Sequence, residues 1–315
     1  MDWLTKLFNW IAMKFKDILN YNRKSAEDNG WDPSWFGTTS FDSELVKQVK
    51  IFQNQHNLEV DGMVGPATFR RIETKRESEV VEEEVAVAED RDLVEHIVCN
   101  GEKVAIDWHA VVTMEEKGAL VLPENCYREQ KKERKPSLIV THWDAALSAS
   151  SCHRILKKRK ISSHFVIDND GTIYQLMDTN HIAWHAKGVN NISIGVDFSN
   201  AYYPKYQKWY TKKGFGRRPV LDDSVTHGYK HKPHLGYYKV QLNAYKALLK
   251  ALCDHYDIPK SCPTDDISKK LITDVFKPAK DGMYEGVVCH YHLARKKIDC
   301  AGLKLDEIIK ELNES

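Results

Sequence analysis

No stretch of this chain is long and apolar enough to cross a bilayer; charges interrupt every apolar run well short of about 20 residues. Net charge is nearly absent too. Forty-six Lys and Arg stand against 45 Asp and Glu, which leaves +1 and no electrostatic case for a nucleic-acid partner. The N-terminus, M-D-W-L-T-K-L-F-N-W, has no basic leader region, and charges break its apolar stretch. The expectation is a protein made in the cytoplasm without a signal peptide and kept there until something releases it. Cysteine is missing from the first 98 residues. The seven that follow (Cys99, Cys126, Cys152, Cys253, Cys262, Cys289 and Cys300) form no C-x-x-C pair and are odd in number. That argues against a closed disulfide framework and for reduced thiols that behave as small buried hydrophobes.

What is present falls into segments. A length of 315 residues holds one large domain or two smaller ones. Over residues 1–20, Trp3, Leu4, Leu7, Phe8, Ile11, Phe15, Ile18 and Leu19 recur at helical spacing, with Lys6, Lys14 and Lys16 elsewhere on the turn. Such a helix either makes a weak membrane contact or packs on the next domain. In residues 21–73, Phe41-Asp42-Ser43-Glu44 opens a helix with Leu45, Val49 and Phe52 on one face. Asp61-Gly62 then marks a turn, and Gly65-Pro66 starts another helix. Residues 74–92 are acidic and lack Gly and Pro, which reads as a charged linker. The remainder, 93–315, opens with Ile97-Val98-Cys99-Asn100-Gly101 and Val104-Ala105-Ile106, a hairpin around Asn100-Gly101. Tyr202 to Lys232, rich in Tyr, Trp, Lys and Arg, is too long for a simple connection; it is a lid over a cleft or a surface insertion. Val240 to Tyr256 and Leu303 to Leu312 are apolar-periodic helices.

Two short segments carry the chemistry. His142 ends the apolar run Leu138-Ile139-Val140, which reads as a buried strand opening into a cleft. His290 follows Val287-Val288, and Lys297 and Asp299 come after it at K-x-D spacing. Two neutral imidazoles and a carboxylate are a ligand set for catalytic zinc and leave a fourth position for water, whose pKa the metal brings toward neutrality. On a strand, residues two apart share a face. Spacing alone therefore leaves His292 as a rival to His290.

His142, His290, Lys297 and Asp299 resemble the zinc amidases that cut N-acetylmuramoyl-L-alanine in peptidoglycan. That superfamily includes phage lytic amidases, the cell-wall recycling amidase and peptidoglycan recognition proteins. Ser162-Ser163-His164-Phe165-Val166-Ile167-Asp168-Asn169-Asp170-Gly171-Thr172-Ile173-Tyr174-Gln175 is similar to the family's S-x-H-F/Y-x-I/V-D-x-D-G-T-I-Y-Q hairpin. Trp184-His185-Ala186-Lys187-Gly188 and Asn190-Asn191-Ile192-Ser193-Ile194-Gly195-Val196-Asp197 resemble its next two blocks. The likeness runs in order from about Pro136 to Leu303. Residues Gln53 to Thr68 resemble the F-Q-x-x-x-x-L-x-V-D-G-x-V-G-P-x-T signature of a small three-helix peptidoglycan-binding domain, with Leu58 and Val60 expected in its core.

The resemblance implies an α/β catalytic domain with a mixed central sheet flanked by helices, preceded by a small all-α domain. It implies Zn2+ held by His142, His290 and Asp299, with Cys300 the runner-up to Asp299, because some relatives use cysteine there. Relatives supply a general base from a glutamate in S-I-G-x-E or from a tyrosine before the H-F pair. This chain has Asp197 and Ser163 at those places, which makes Asp197 the candidate base and Tyr206 or His227 the next ones. Lys297 would steady the oxyanion, Trp184, His185 and Lys187 would line the substrate groove, and His164 and Asp170-Gly171 would be structural. The expected partner is bacterial peptidoglycan and the expected state a monomer. The implied function is a phage endolysin acting on the host wall after release. A non-catalytic receptor and a cytoplasmic recycling amidase are the alternatives. Members that only bind lose a zinc ligand, whereas all three candidates are present here.

Overall fold

A computed structural model describes residues 3–56, 58–65, 68, 69, 71, 72 and 95–314, with side chains from residue 15 onward. The apolar stripe of residues 1–14 and the acidic linker 74–92 lie outside the described side chains and residues. The chain divides into two compact units, Met1–Leu93 and Val94–Ser315.

In the first unit one helix, Trp3–Asn29, runs across the boundary expected at residue 20. Helix Ser43–Gln55 starts where Asp42 caps it, accepting the N–H groups of Glu44 (2.9 Å) and Leu45 (3.2 Å). Trp31, Phe36, Leu45, Val49, Phe52, Val64 and Ile72 form the core. The signature polar residues are spent inside. Gln53 accepts from the Gly62 N–H (2.9 Å) and donates to Asp61 (2.8 Å) and the Met63 carbonyl (3.0 Å). Asn22 grips the same turn from the other side, donating to the Gly62 carbonyl (3.0 Å) and accepting from Val64 N–H (2.8 Å). Gly62 has φ +80°, and a Cβ there would meet Val46 at 2.8 Å. Val60 corrects the sequence reading: it is 49% exposed, not core, while Leu58 packs at the core's edge.

The second unit is built on a six-stranded mixed sheet in the order Gly286–Cys289, Leu138–Trp143, Ser193–Phe198, Phe165–Ile167, Ile173–Gln175, Val111–Val112. The first four strands are mutually parallel; Ile173–Gln175 pairs antiparallel with Phe165–Ile167, and Val111–Val112 parallel with Ile173–Gln175. Both faces are covered, which is why these strands read as apolar runs. Alternation sends Ile139, Ile194, Val196, Phe198 and Val287 to one face, against Ala244, Tyr245, Leu248, Leu249 and Leu252 of helix Lys239–Tyr256 and against helix Leu305–Glu314. Leu138, Val140 and Val288 point to the other face, with Ala186, Val189 and Leu293. His142, in step with Leu138 and Val140, therefore points away from the main core. The Asn100-Gly101 hairpin forms as read, between His96–Cys99 and Glu102–Ala105, with φ of 52° and 78° at its turn. All seven cysteines are free and buried.

Candidate metal centre and active site

Parallel strands end on the same edge of a sheet, and ligand sites of open α/β sheets gather there. Here that edge carries His142, paired in register with Asp197 on the neighbouring strand, and His290, one residue beyond Cys289, which pairs with Thr141. Asp299 reaches the same place from the loop that follows. The structure brings His142 Nδ1 and His290 Nδ1 to 2.9 Å. Asp299 Oδ2 lies 3.1 Å from the first and 2.8 Å from the second.

The protons of this cluster follow from the hydrogen bonds behind it. The Ser193 hydroxyl donates to the Val189 carbonyl (2.8 Å) and so accepts from His185 Nε2–H (3.1 Å). His185 Nδ1 then accepts from His142 Nε2–H at 3.0 Å, which leaves the His142 Nδ1 lone pair aimed at the cluster. Burial pushes His290 down to about 4, and neighbouring His142 adds to this while Asp299 opposes it. Burial alone would raise Asp299, but the adjoining His142 and His290 rings outweigh it and hold the carboxylate well below its usual range. Electron-pair donors thus converge on one point, a set and a size that suit a tetrahedral zinc with bonds of about 2.0–2.1 Å. The fit rests on that donor chemistry.

Gly195 makes the arrangement possible. It lies between His185 and Ser163, on the face of its strand that it shares with Asp197. A Cβ there would stand 2.8 Å from His185 Cγ, 2.9 Å from His185 Nδ1 and 2.8 Å from the Ser163 hydroxyl. Both His185 nitrogens face inward partners, Nδ1 toward His142 and Nε2 toward Ser193. Its neighbours Trp184 (38% exposed) and Lys187 remain at the surface.

Asp197 is buried, and burial raises its pKa, with the nearby His142 opposing the rise. Lys297 is half-buried, and its charge acts on both Asp197 and His290. His292 is the rival the structure removes from the cluster: its Nδ1 accepts the Cys289 N–H (3.0 Å) and its Nε2 meets the Ile272 carbonyl (2.6 Å). Residues 290–292 form a 3-10 turn, so positions two apart no longer share a face. Cys300 is buried and lies outside the ligand cluster. His164 is structural as read, accepting the Gly195 N–H (3.0 Å) with its other nitrogen at the His181 carbonyl (3.0 Å). One participant escaped sequence reasoning. Asp144 accepts from Ala146 N–H (2.7 Å), Asn200 N–H (3.0 Å) and the Ser199 hydroxyl (3.2 Å), and so ties together the ends of the His142 and Asp197 strands. Its only signal was a buried-strand histidine followed by W-D.

The family model described as N-acetylmuramoyl-L-alanine amidase matches residues 132–300, and one described as putative peptidoglycan binding domain matches residues 29–72. No curated protein matches the chain. Among solved structures, similar chains include an endolysin N-acetylmuramoyl-L-alanine amidase, LysCS, from Clostridium intestinale URNW (20% identity, TM-score 0.36, covering 65% of this chain and 97% of that one). Another is the Ph2119 endolysin from the Thermus scotoductus MAT2119 bacteriophage Ph2119 (14% identity, TM-score 0.36, 64% and 97%). A third is Drosophila PGRP-LB (16% identity, TM-score 0.35, 63% and 91%). With the family model spanning more than half of its 315 residues, the segments that carry His142, Asp197 and His290 among them, this chain belongs to the N-acetylmuramoyl-L-alanine amidase family and carries a peptidoglycan-binding domain ahead of its catalytic unit.

Proposed function

We propose that this amidase is zinc-dependent and hydrolyses the amide between the lactyl group of N-acetylmuramic acid and L-alanine, acting as a phage endolysin on the host wall after release. The carrying observation is the convergence of His142, His290 and Asp299, from three separate segments, within 3.1 Å of one another. These three would hold the ion. When bound, zinc supplies Lewis acidity, making a water nucleophilic near neutral pH and polarising the scissile carbonyl.

The chain's own residues do the rest. Asp197, next to His142 and raised by burial, takes the water's proton and passes it to the leaving amine. Lys297 offers a point charge to the developing oxyanion. Trp184 and Lys187 meet the sugar-peptide chain at the mouth of the groove, and His185 keeps His142 in its metal-binding tautomer. The pairing of a wall-binding unit with a hydrolase supports a lytic role over recycling of soluble fragments. The complete ligand set supports an enzyme over a receptor.

Mass spectrometry of digested sacculi tests the reaction. Free lactyl carboxyls on muramic acid together with new L-alanine amines are expected. New reducing sugar ends, or cleavage inside the stem peptide, would refute the assignment.

A further inference from the structure

The segment Tyr202 to Lys232 turns out to be tied to the ligand loop. Its short strands Val225–Thr226 and Tyr229–Lys230 make a tight hairpin whose turn residues, His227 and Gly228, have φ of 54° and 73°. A two-residue turn with both φ positive is the tightest hairpin connection, and it is unusual for a residue with a full side chain. The turn aims His227 inward, where its side chain is only 8% exposed. The backbone N–H of His227 donates to the Thr273 carbonyl (2.8 Å). Its Nδ1 lies 2.7 Å from Asp274 Oδ1, and its Nε2 lies 2.9 Å from the Lys297 carbonyl oxygen.

Lys297 is two residues before Asp299. Three residues after Asp299 comes a second, independent contact. Gly302 (φ +76°) lies so close to the insertion that a Cβ would strike the Ser224 hydroxyl and stand 2.6 Å from Leu221 Cδ1. Ser224 is itself held by His234 Nε2 (2.9 Å) and by the His231 N–H (2.9 Å). The insertion therefore clasps the Asp299 loop on both sides. That loop, residues 293–304, contains no helix or strand of its own. Its own backbone ties are short-range turns, Lys297 N–H to Ala294 (2.9 Å), Ala301 N–H to Ile298 (2.7 Å) and Leu303 N–H to Cys300 (3.1 Å), together with the Tyr291 N–H to the Asp299 carbonyl (3.0 Å).

We propose that the insertion is a brace for the third metal ligand, with His227 as its positioning residue. By fixing the Lys297 carbonyl, His227 holds the Asp299 carboxylate against His142 and His290 before any ion arrives. The idea rests on reading those three as the metal ligands. A carboxylate on an unbraced loop has to be ordered by the metal itself, which weakens binding; outer-shell losses of this kind typically cost 10–100-fold in affinity.

The test is a double-mutant cycle on the full chain, with zinc dissociation constants measured by chelator competition at fixed neutral pH. His227→Ala is expected to bind zinc about 10–100-fold more weakly at unchanged circular dichroism. Asp299→Ala is expected to lose more, and His227→Ala/Asp299→Ala no more than Asp299→Ala alone. His227→Gln, which keeps an amide donor, should fall between wild type and His227→Ala, and it serves the same cycle if His227→Ala does not fold. Wild-type affinity in His227→Ala, or losses that simply add in the double variant, would overturn the brace. If Asp299→Ala itself binds zinc like wild type, the ligand assignment fails, and the brace with it.

Discussion

The two units use polar side chains in opposite ways. In the wall-binding unit, acceptors meet donors. Gln53, Asn22 and Asp61 form closed sets of hydrogen bonds around the Asp61-Gly62 turn. In the amidase unit, the His142 Nδ1 lone pair and the Asp299 carboxylate face each other and His290 across 2.8 to 3.1 Å. The first pattern is complete and holds a fold. The second leaves lone pairs facing one another, a donor set that suits a cation. Residue types alone do not separate the cases, since buried polar groups occur in both; what separates them is whether each lone pair has a proton to face.

Breaking the second pattern should have the largest effect. His142→Ala is expected to remove bound zinc and abolish lysis, while the wild type carries one zinc per chain and recovers from chelation on adding zinc back. Full activity in His142→Ala would end the metal reading. Next comes Asp197→Asn, which keeps shape but cannot take a proton. It should retain zinc and lose about 10²–10⁴ in kcat with KM little changed, as general-base loss does. Asp197→Glu, which restores the residue of recycling-type relatives, should keep measurable activity.

A smaller loss is expected for His185→Phe, which fills the seat above Gly195 but cannot accept from His142. Zinc affinity should fall about 10–100-fold. An unchanged affinity would show that the His142 tautomer needs no partner.

Acid should also distinguish the units. Burial depresses His164 to about 3 and His292 to about 4, from about 6.5 in the unfolded chain. Between those values the unfolded state binds the extra protons, so these two histidines cost the amidase unit stability as pH falls from about 6.5 toward 4, while Asp144, raised by burial to about 8, acts in the opposite direction. In the wall-binding unit, the Ser40 hydroxyl and the capped helix end hold Asp42 below its usual pKa. That contribution persists until pH drops below the ordinary carboxylate range. Thermal unfolding at pH 7, 5.5 and 4.5 should show the amidase transition moving first. The smallest effect expected is Gln53→Ala, which strands buried backbone groups and should destabilise the wall-binding unit by about 1–3 kcal/mol. Sacculus binding should weaken, with kcat on soluble muropeptides unchanged; a fall in that kcat would contradict the separation of roles.

Much of the catalytic unit was legible because its signals are local. The apolar runs at Leu138 and Val287, the Asn100-Gly101 turn and the periodic helices each depend on residues a few positions apart. Val60 went the other way: alternation along a short loop segment says little about which side faces solvent once no sheet partner fixes it. The ligand cluster itself was legible only through its likeness to a family, because no local rule links positions 142 and 290.

The sequence by itself determined the elements, the two units and the kinds of donor available to a metal. Only the tertiary structure decided which donors meet. It set His290 apart from His292 by turning residues 290–292 into a 3-10 step, and it took Asp299 rather than Cys300 into the cluster. It also set His185 against His142, through the space that Gly195 leaves open. The reason is physical: strand and helix are written in nearest neighbours, whereas a metal site is written in where distant lone pairs converge, and that depends on the register of parallel strands and on what braces the loop between them.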